Sequence, residues 1–200
     1  MIYIEYFSRR PGVELAEFHA GVAKGSAWGD GYVEDQLILL AGRTWRLGPD
    51  PEYLMVWHSS NAGFERIDAW ERIFRSGEAD PFEEPFLRVA RIDFAGCYEA
   101  LVGPTRARDG TYYAEFFRPR DAMPEIKSFY EDRARQHQDF MLNLLVLRVG
   151  RLGPEPGGLA IWTLPDFAAL GKIARELDHV NRPLELVRAG TYADVGKEIL

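Results

Sequence analysis

Two stretches of this chain decide its fold. Residues 38–57 read ILLAGRTWRLGPDPEYLMVW, and residues 143–162 read NLLVLRVGRLGPEPGGLAIW. Aligned without a gap, they are identical at ten of twenty positions, whereas chance matching would give roughly one in fifteen. Both contain the turn signal Arg-Leu-Gly-Pro-x-Pro between two apolar runs. The chain therefore carries an internal duplication, and each copy of this stretch is predicted to form a β-hairpin.

The match extends outward from the hairpins. Residues 3–7 correspond to residues 113–117, and residues 95–98 correspond to residues 189–192. Apolar periodicity and turn residues then predict the same five segments in both halves. They are a strand (2–8, 111–118), a helix (13–24, 121–136), a hairpin (37–59, 142–163), a second helix (61–75, 165–177) and a last strand (87–96, 184–192). Glycines at three positions favour a loop over residues 21–31.

The order βαββαβ predicts an α+β fold, in which a four-stranded antiparallel sheet of order 4-1-3-2 has both helices on one face. Two such ferredoxin-like repeats can bury their bare sheet faces against each other as a pseudo-dimeric α/β barrel. We predict a first repeat over residues 1–102, a linker over 103–110 and a second repeat over 111–200. Two separate domains are the alternative, but each would expose an apolar sheet face.

The stretch Arg9–His19, RRPGVELAEFH, resembles the opening of EthD-type and NIPSNAP-type domains of the dimeric α/β-barrel superfamily. There a strand ends in a Pro-Gly turn and the helix carries a Phe-His pair. Those helices usually continue with a Trp and a second His, where this chain has residues 20–24, AGVAK. The resemblance implies a superfamily of cofactor-free monooxygenases, isomerases and cyclases, haem enzymes, and members without known activity.

Strand alternation indicates which side chains could form a site inside the barrel. One face of the first strand is expected to pack on the helices, namely Ile2, Ile4 and Tyr6. The other face is expected to point into the interior between the sheets, namely Tyr3, Glu5 and Phe7, with Tyr113, Glu115 and Phe117 in the second half. A buried carboxylate is costly unless it is paired. Each half is therefore expected to place a partner near its acid.

The hairpins offer such partners, since pairing around the turn sets Arg43 across from Trp57 and Arg148 across from Trp162. The candidate catalytic residues are Glu5 and Glu115, as general base or anchor with a pKa raised by burial. The candidate ligand-binding residues are Arg43, Trp57, Arg148, Trp162, Tyr3 and Tyr113. The alternative interpretation is structural: Glu5–Arg43 and Glu115–Arg148 are buried ion pairs, with each Trp packed between them.

Two functions fit these residues. One is a small-molecule enzyme of the cofactor-independent type (a monooxygenase, isomerase or cyclase) acting on an apolar or aromatic substrate inside the barrel. It predicts an asymmetric cavity open to solvent and one unpaired carboxylate. The other is a non-catalytic ligand-binding or scaffold protein, which predicts closed ion pairs and a filled interior. Haem binding is a third interpretation, with His137 or His179 as axial ligand. None of the four histidines, which also include His19 and His58, has a histidine at the matched position of the other half.

Composition limits the remaining classes. A net charge of −7 argues against non-specific nucleic-acid binding. Cys97 is the only cysteine, which excludes an intramolecular disulfide and Cys-based metal sites. No apolar run approaches the roughly 20 residues that span a bilayer. We expect a cytoplasmic protein with a small-molecule ligand, no cofactor or metal, and no nucleic-acid or membrane partner. It is expected to be a monomer, or a homodimer formed through edge strands.

Overall fold

The computed structural model describes residues 1–32, 35–44, 52–59, 76, 83–105, 111–177 and 183–196. This part of the chain forms an α+β fold with eight strands and four helices. The strands are β1 (Ile2–Arg9), β2 (Asp35–Arg43), β3 (Tyr53–Ser59), β4 (Ala90–Val102), β5 (Thr111–Pro119), β6 (Met141–Arg148), β7 (Gly158–Leu164) and β8 (Leu184–Asp194). The helices are α1 (Leu15–Tyr32), α2 (Glu83–Val89), α3 (Met123–Gln136) and α4 (Phe167–Leu177).

All neighbouring strands pair antiparallel and close into a barrel of order β1-β3-β2-β8-β5-β7-β6-β4. Within the first half the order is β4-β1-β3-β2, and within the second it is β8-β5-β7-β6. Both agree with the predicted order 4-1-3-2. The halves join through β2–β8 and β4–β6. This pairing uses, inside one chain, the strand edges that were expected to be available for contacts between molecules.

Apolar residues form three clusters. The central cluster fills the barrel and takes residues from both halves, among them Ile4, Val56, Ala114 and Val146. Two outer clusters lie between the sheet and the helices. One surrounds Phe7 and Phe18 in the first half, and the other surrounds Tyr130 and Trp162 in the second. Both faces of the barrel sheet are therefore buried, one by the barrel interior and the other by the helices.

Helix α1 extends beyond its prediction. The structure continues the helix through the glycine-rich residues 21–31, which were expected to form a loop. A Cβ at Gly21 would lie 2.4 Å from Val89 Cγ2 and 2.7 Å from the Pro85 carbonyl oxygen. Glycine is therefore required where α1 crosses α2, and this close packing stabilises the helix against its low intrinsic propensity.

The last strand of the first half also differs from its prediction. Residues 87–89 are the end of α2, and β4 runs from Ala90 to Val102 instead of ending at residue 96. Phe86 and Val89 of α2 are buried against the first-half outer cluster, which explains why a helical turn persists there. The predicted helix over 61–75 and the predicted turn at 46–51 lie outside the described residues.

Candidate functional site

The acid of the second half, Glu115 on β5, is fully buried and points to the helix side of the sheet. Its carboxylate accepts hydrogen bonds from Arg133 Nη1 and Nη2 at 3.0–3.2 Å and from Tyr130 Oη at 3.0 Å. Ile126, Tyr130 and Arg133 form the buried side of α3. The Arg133 guanidinium also lies 5.0 Å from the Trp162 ring centroid. Burial acts to lower the pKa of Arg133, but the charge and hydrogen bonds of Glu115 outweigh it and raise that pKa.

The acid of the first half, Glu5 on β1, is only 1% exposed. Its carboxylate accepts a hydrogen bond from Trp57 Nε1 at 3.2 Å. When α1 and α3 are compared from their first residues, Val22 and Gly25 stand where α3 has Tyr130 and Arg133. Among the described residues, Glu115 is thus bound by an arginine and a tyrosine of α3, and Glu5 accepts a hydrogen bond from a tryptophan on the neighbouring strand.

The predicted orientation of the first strand in each half is wrong. Glu5 and Glu115 do not point into the barrel, because the inward face is the one carrying Ile4 and its alternating neighbours. Tyr3 lies directly opposite Trp57, and Tyr113 lies directly opposite Trp162. These aromatic pairs belong to the outer, helix-facing layers. The alternating pattern could not distinguish the faces, since both are buried.

The predicted row of Glu, Trp and Arg across each sheet is also wrong, because the arginines lie on the opposite face from the acids. Arg43 is directly opposite Tyr192, and Arg148 is directly opposite Tyr98. Both tyrosines belong to the barrel interior, and directly opposed residues share a sheet face. Trp57 pairs with Leu37 instead of Arg43, and Trp162 pairs with Leu142 instead of Arg148.

The predicted partnerships change accordingly. Glu115 pairs with Arg133 and not with Arg148. The Arg148 Nη1 atom donates to the carbonyl oxygens of Gly153 at 2.8 Å and Pro154 at 3.0 Å, and the guanidinium also pairs with Glu155. The Arg43 Nη2 atom lies 4.0 Å from Glu52 Oε1. Both arginines are thus tied to the hairpin next to their own strand.

One end of the barrel gathers three arginines on its inward-facing side, and we call it the arginine end. Arg43 and Arg148 are the last residues of β2 and β6. The third is Arg188 on β8, whose guanidinium carbon lies 4.7 Å from the ring centroid of Phe116 in the barrel interior. Strands β2 and β6 finish at this end and β8 starts there, because β8 runs antiparallel to β2.

Two buried tyrosines, Tyr6 and Tyr98, lie on the same inward face of the barrel as these arginines. Tyr6 Oη and Tyr98 Oη are 3.0 Å apart and form a buried hydrogen bond. Burial raises the pKa of Tyr6 well above its ordinary value, and the neighbouring Tyr98 raises it further. Burial also raises the pKa of Tyr98, although the hydrogen bond with Tyr6 and the charge of Arg148 act against that rise. Both hydroxyls are therefore protonated at neutral pH.

Aromatic rings connect this phenol pair with the rim of the barrel. Tyr6 contacts Phe116 on one side and Phe94 on the other, each with ring centroids 6.3 Å apart. Phe94 is 43% exposed, whereas Tyr6 and Phe116 are buried. The arginine end thus combines an exposed aromatic ring, two buried hydroxyls and cationic groups.

The sequence interpretation did not place Tyr6, Tyr98 or Arg188 among the candidate site residues. Two signals were present. Tyr98 and Tyr192 are the matched ends of the repeated segments 95–98 and 189–192, and Arg188 precedes its segment where the first half has Phe94. A charge replacing an aromatic residue within an otherwise similar repeat marks a position where the halves differ in chemistry.

The opposite end of the barrel is closed more tightly. A cavity of about 10 Å³ lies among Ile38, Tyr112, Asn143 and their neighbours, which is room for one water molecule at most. Elsewhere, a surface cleft of about 650 Å³ is bordered by Ile2, His58, Tyr98 and Glu99 among others. His58 thus borders the same cleft as Tyr98.

The other histidines are not gathered into a site. His19 is half-buried on α1. The His137 ring stacks on Phe140 just beyond α3, with centroids 5.2 Å apart. His179 lies outside the described residues. Over the described ranges, no group of three or more His, Cys, Asp or Glu side chains is placed to hold a metal ion.

None of the helices in the described part of the chain combines the length and the apolar character needed to cross a bilayer. The sequence matches no protein-family model and no curated protein. The chemistry of the site therefore has to be judged from its own geometry.

Proposed function

We propose that this chain is a tandem pair of ferredoxin-like repeats, related to the dimeric α/β-barrel superfamily, that acts as a small-molecule enzyme of the cofactor-independent type. The duplicated hairpin sequence and the strand order repeated in both halves support the architecture. Its substrate is an apolar or aromatic compound that reaches the arginine end of the barrel.

The observation that carries the proposal is the Tyr6–Tyr98 hydrogen bond on the inward face. A hydroxyl pair enclosed by aliphatic and aromatic side chains is the usual composition of a small-molecule site, in which few polar groups orient an apolar ligand. Because both pKa values are raised, the phenols remain proton donors at neutral pH. They can donate to an oxygen of the substrate and cannot act as bases there.

The arginines complete this chemistry. When an acidic hydroxylated aromatic substrate loses its proton to solvent, the resulting phenolate or enolate oxygen carries negative charge. A donor held in place by the protein stabilises such charge strongly in a site that excludes water. In this proposal Tyr98 donates a hydrogen bond to that oxygen, and Arg148, opposite Tyr98 on β6, stabilises its charge. Glu5 and Glu115 take no part here, because their carboxylates lie on the other face of the sheet.

Access to the phenols runs past Phe94. Its ring packs edge-on against Tyr6 and is the exposed member of the aromatic group. A flat aromatic substrate can replace the contact that Phe94 makes with Tyr6, since both present a ring of similar polarity. We infer that Phe94 swings aside when the substrate enters.

A second candidate function is non-catalytic ligand binding or a scaffold role, and one observation favours it. The barrel interior around Ile4, Leu54 and Val146 is fully packed, and Glu115 is closed by its own cation. These are the features expected of a barrel that holds no substrate at its centre. The two functions differ in whether Tyr98 is needed for turnover.

The test uses the full chain with a panel of hydroxylated aromatic compounds. Oxygen uptake reports an oxygenase, and a changed absorbance spectrum at constant mass reports an isomerase or cyclase. Tyr98→Phe is expected to lower kcat by a factor of about 100 or more, within the range of acid–base contributions. The matched control is Tyr112→Phe, which removes a buried hydroxyl at the other end of the barrel. Turnover that survives Tyr98→Phe overturns the proposal, and binding without turnover supports the second candidate.

A further inference from the structure

Arg188 differs in its surroundings from the other buried or half-buried arginines in the part of the chain that the structure describes. Its guanidinium lies over the Phe116 ring, and its Nε atom is buried without a hydrogen-bond partner. Across the described ranges no ion pair or hydrogen bond of this guanidinium is found. A guanidinium carries five N–H donors. Burying the Nε donor without a partner is costly, whereas the side chain as a whole is half-buried, so its terminal nitrogens stay within reach of solvent and of a ligand.

The Nε atom of Arg148 is also buried without a partner, so the feature that sets Arg188 apart among the described residues is the lack of a neighbouring acid. Arg133 is forked onto Glu115, Arg148 donates to two carbonyl oxygens and pairs with Glu155, and Arg43 lies beside Glu52. Each has an acid within 4.0 Å. The acid nearest in sequence to Arg188, Glu185, pairs with Arg118 and Arg120 on the outer surface.

Packing alone does not require a cation at this position. The matched position in the first half is Phe94, which packs against Tyr6 as Arg188 packs against Phe116. An aromatic residue therefore suits this place in the barrel wall. The arginine adds only a charge and a set of donors, which points to a ligand that supplies the missing anion.

The side chains around Arg188 indicate which class of anion would bind there. The guanidinium carbon lies 4.7 Å from the Phe116 ring centroid, and a guanidinium presents its donors in a fork that fits a planar carboxylate in two-point contact. The neighbouring groups facing the same space are aromatic: Tyr6, Phe94 and Phe116. A ligand that satisfies all of them has a carboxylate at one end and a flat apolar body at the other.

We propose that Arg188 anchors the carboxylate of a small aromatic carboxylic acid at the arginine end of the barrel. The proposal rests on the same site as the proposed function and names its substrate class: the carboxylate binds Arg188 while the ring lies against Tyr6, in the place that Phe94 leaves. A residue that serves a ligand is expected to be unfavourable in the empty protein, because nothing else neutralises it.

The experiment measures binding of 2-naphthoate and of its uncharged analogue 2-naphthamide to the full chain by calorimetry. Naphthoate is expected to bind at least tenfold more tightly than naphthamide. Arg188→Gln is expected to remove that difference and leave naphthamide binding unchanged. The matched control is Arg135→Gln, which makes the same change in net charge at an exposed residue of α3 and leaves the preference intact.

A second measurement does not depend on any ligand. Arg188→Met keeps an unbranched apolar side chain over Phe116 and removes the unpaired charge, so its urea midpoint is expected to be equal to or higher than that of the wild type. A clearly lower midpoint shows that Arg188 is structural and overturns the proposal. Equal affinity for the two naphthalene compounds, or binding of neither, also overturns it. These outcomes leave the proposed function standing, because that function fails only when turnover survives Tyr98→Phe.

Discussion

Arg133 of α3 donates three hydrogen bonds to the Glu115 carboxylate on β5, using both terminal nitrogens of its guanidinium. Both side chains are almost completely removed from solvent. This buried ion pair attaches helix α3 to strand β5, where apolar packing would be the usual contact. Tyr130, one helical turn earlier, adds a third donor group to the same carboxylate.

Breaking this pair from one side is expected to be severe. Arg133→Met leaves the Glu115 carboxylate buried without its cation, so the free energy of unfolding should fall by about 3–5 kcal/mol. The double variant Arg133→Met with Glu115→Gln removes the stranded charge and should recover part of that loss. Urea denaturation of both variants measures the difference. A single variant that loses less than about 1 kcal/mol contradicts a buried, unscreened pair.

The two tryptophans matched by the repeat provide an internal comparison. Trp57 Nε1 donates to the Glu5 carboxylate, whereas Trp162 Nε1 is buried without a partner. Substitution by Phe makes a similar change of volume at both sites, but only Trp57→Phe removes a hydrogen bond to a buried acid. We expect Trp57→Phe to cost about 1.5–3 kcal/mol more than Trp162→Phe. Equal losses in denaturant unfolding would show that the Glu5 contact contributes no net stability.

The buried phenol pair predicts a specific pH dependence. The folded pKa of Tyr6 is raised above its ordinary value of 10.0, mainly by burial. Folding therefore favours the protonated phenol, and its contribution to stability is complete below pH 10.0 and is lost as pH rises through the folded pKa. The urea midpoint should fall as the pH is raised above about 10, and should fall less steeply in Tyr6→Phe. An identical alkaline slope in both proteins would contradict this linkage.

Two adjacent glycines at the start of β7, Gly157 and Gly158, allow the steric cost of an added Cβ to be distinguished from the general effect of replacing glycine by alanine. A Cβ at Gly158 would lie 2.3 Å from Phe117 Cε2, so Gly158→Ala should destabilise the fold by about 1–3 kcal/mol through overpacking. A Cβ at Gly157 would meet its nearest neighbour, Arg148 Nε, at an ordinary 3.5 Å. Gly157→Ala is therefore the control and should change the thermal midpoint little. A Gly158→Ala protein as stable as the control would show that the Phe117 ring can move aside.

Local patterns were sufficient to predict most of the elements. The repeated turn signal located the hairpins, and the described hairpin of the second half has strands over 141–148 and 158–164, within the predicted 142–163 to about one residue. Alternation and periodicity depend only on residues close together in the sequence, so they predict strands and helices without knowledge of the fold. The length of α1 was missed because its glycines are compensated by a contact with α2, more than sixty residues away.

The candidate site was predicted less well, and one cause accounts for most of the difference. Glu5 and Glu115 were placed inside the barrel because Ile4 and its neighbours suited a helix-packing face equally well. Alternation reports that two faces differ but not which way each points. Because both faces are buried, the direction in which Glu115 points depends on its contacts with Arg133 and Tyr130. These residues lie on a helix and meet Glu115 only after folding.

By itself, the sequence predicted the α+β class and the strand order 4-1-3-2 of each half, because these follow from local periodicity and short connections. Only the tertiary structure decided that the acids face the helices, and that Arg148 and Arg188 lie near Tyr6 and Tyr98 inside the barrel. These residues come from both halves of the chain. Their meeting depends on pairing of β2 with β8 and of β4 with β6, contacts between distant strands that no local pattern encodes.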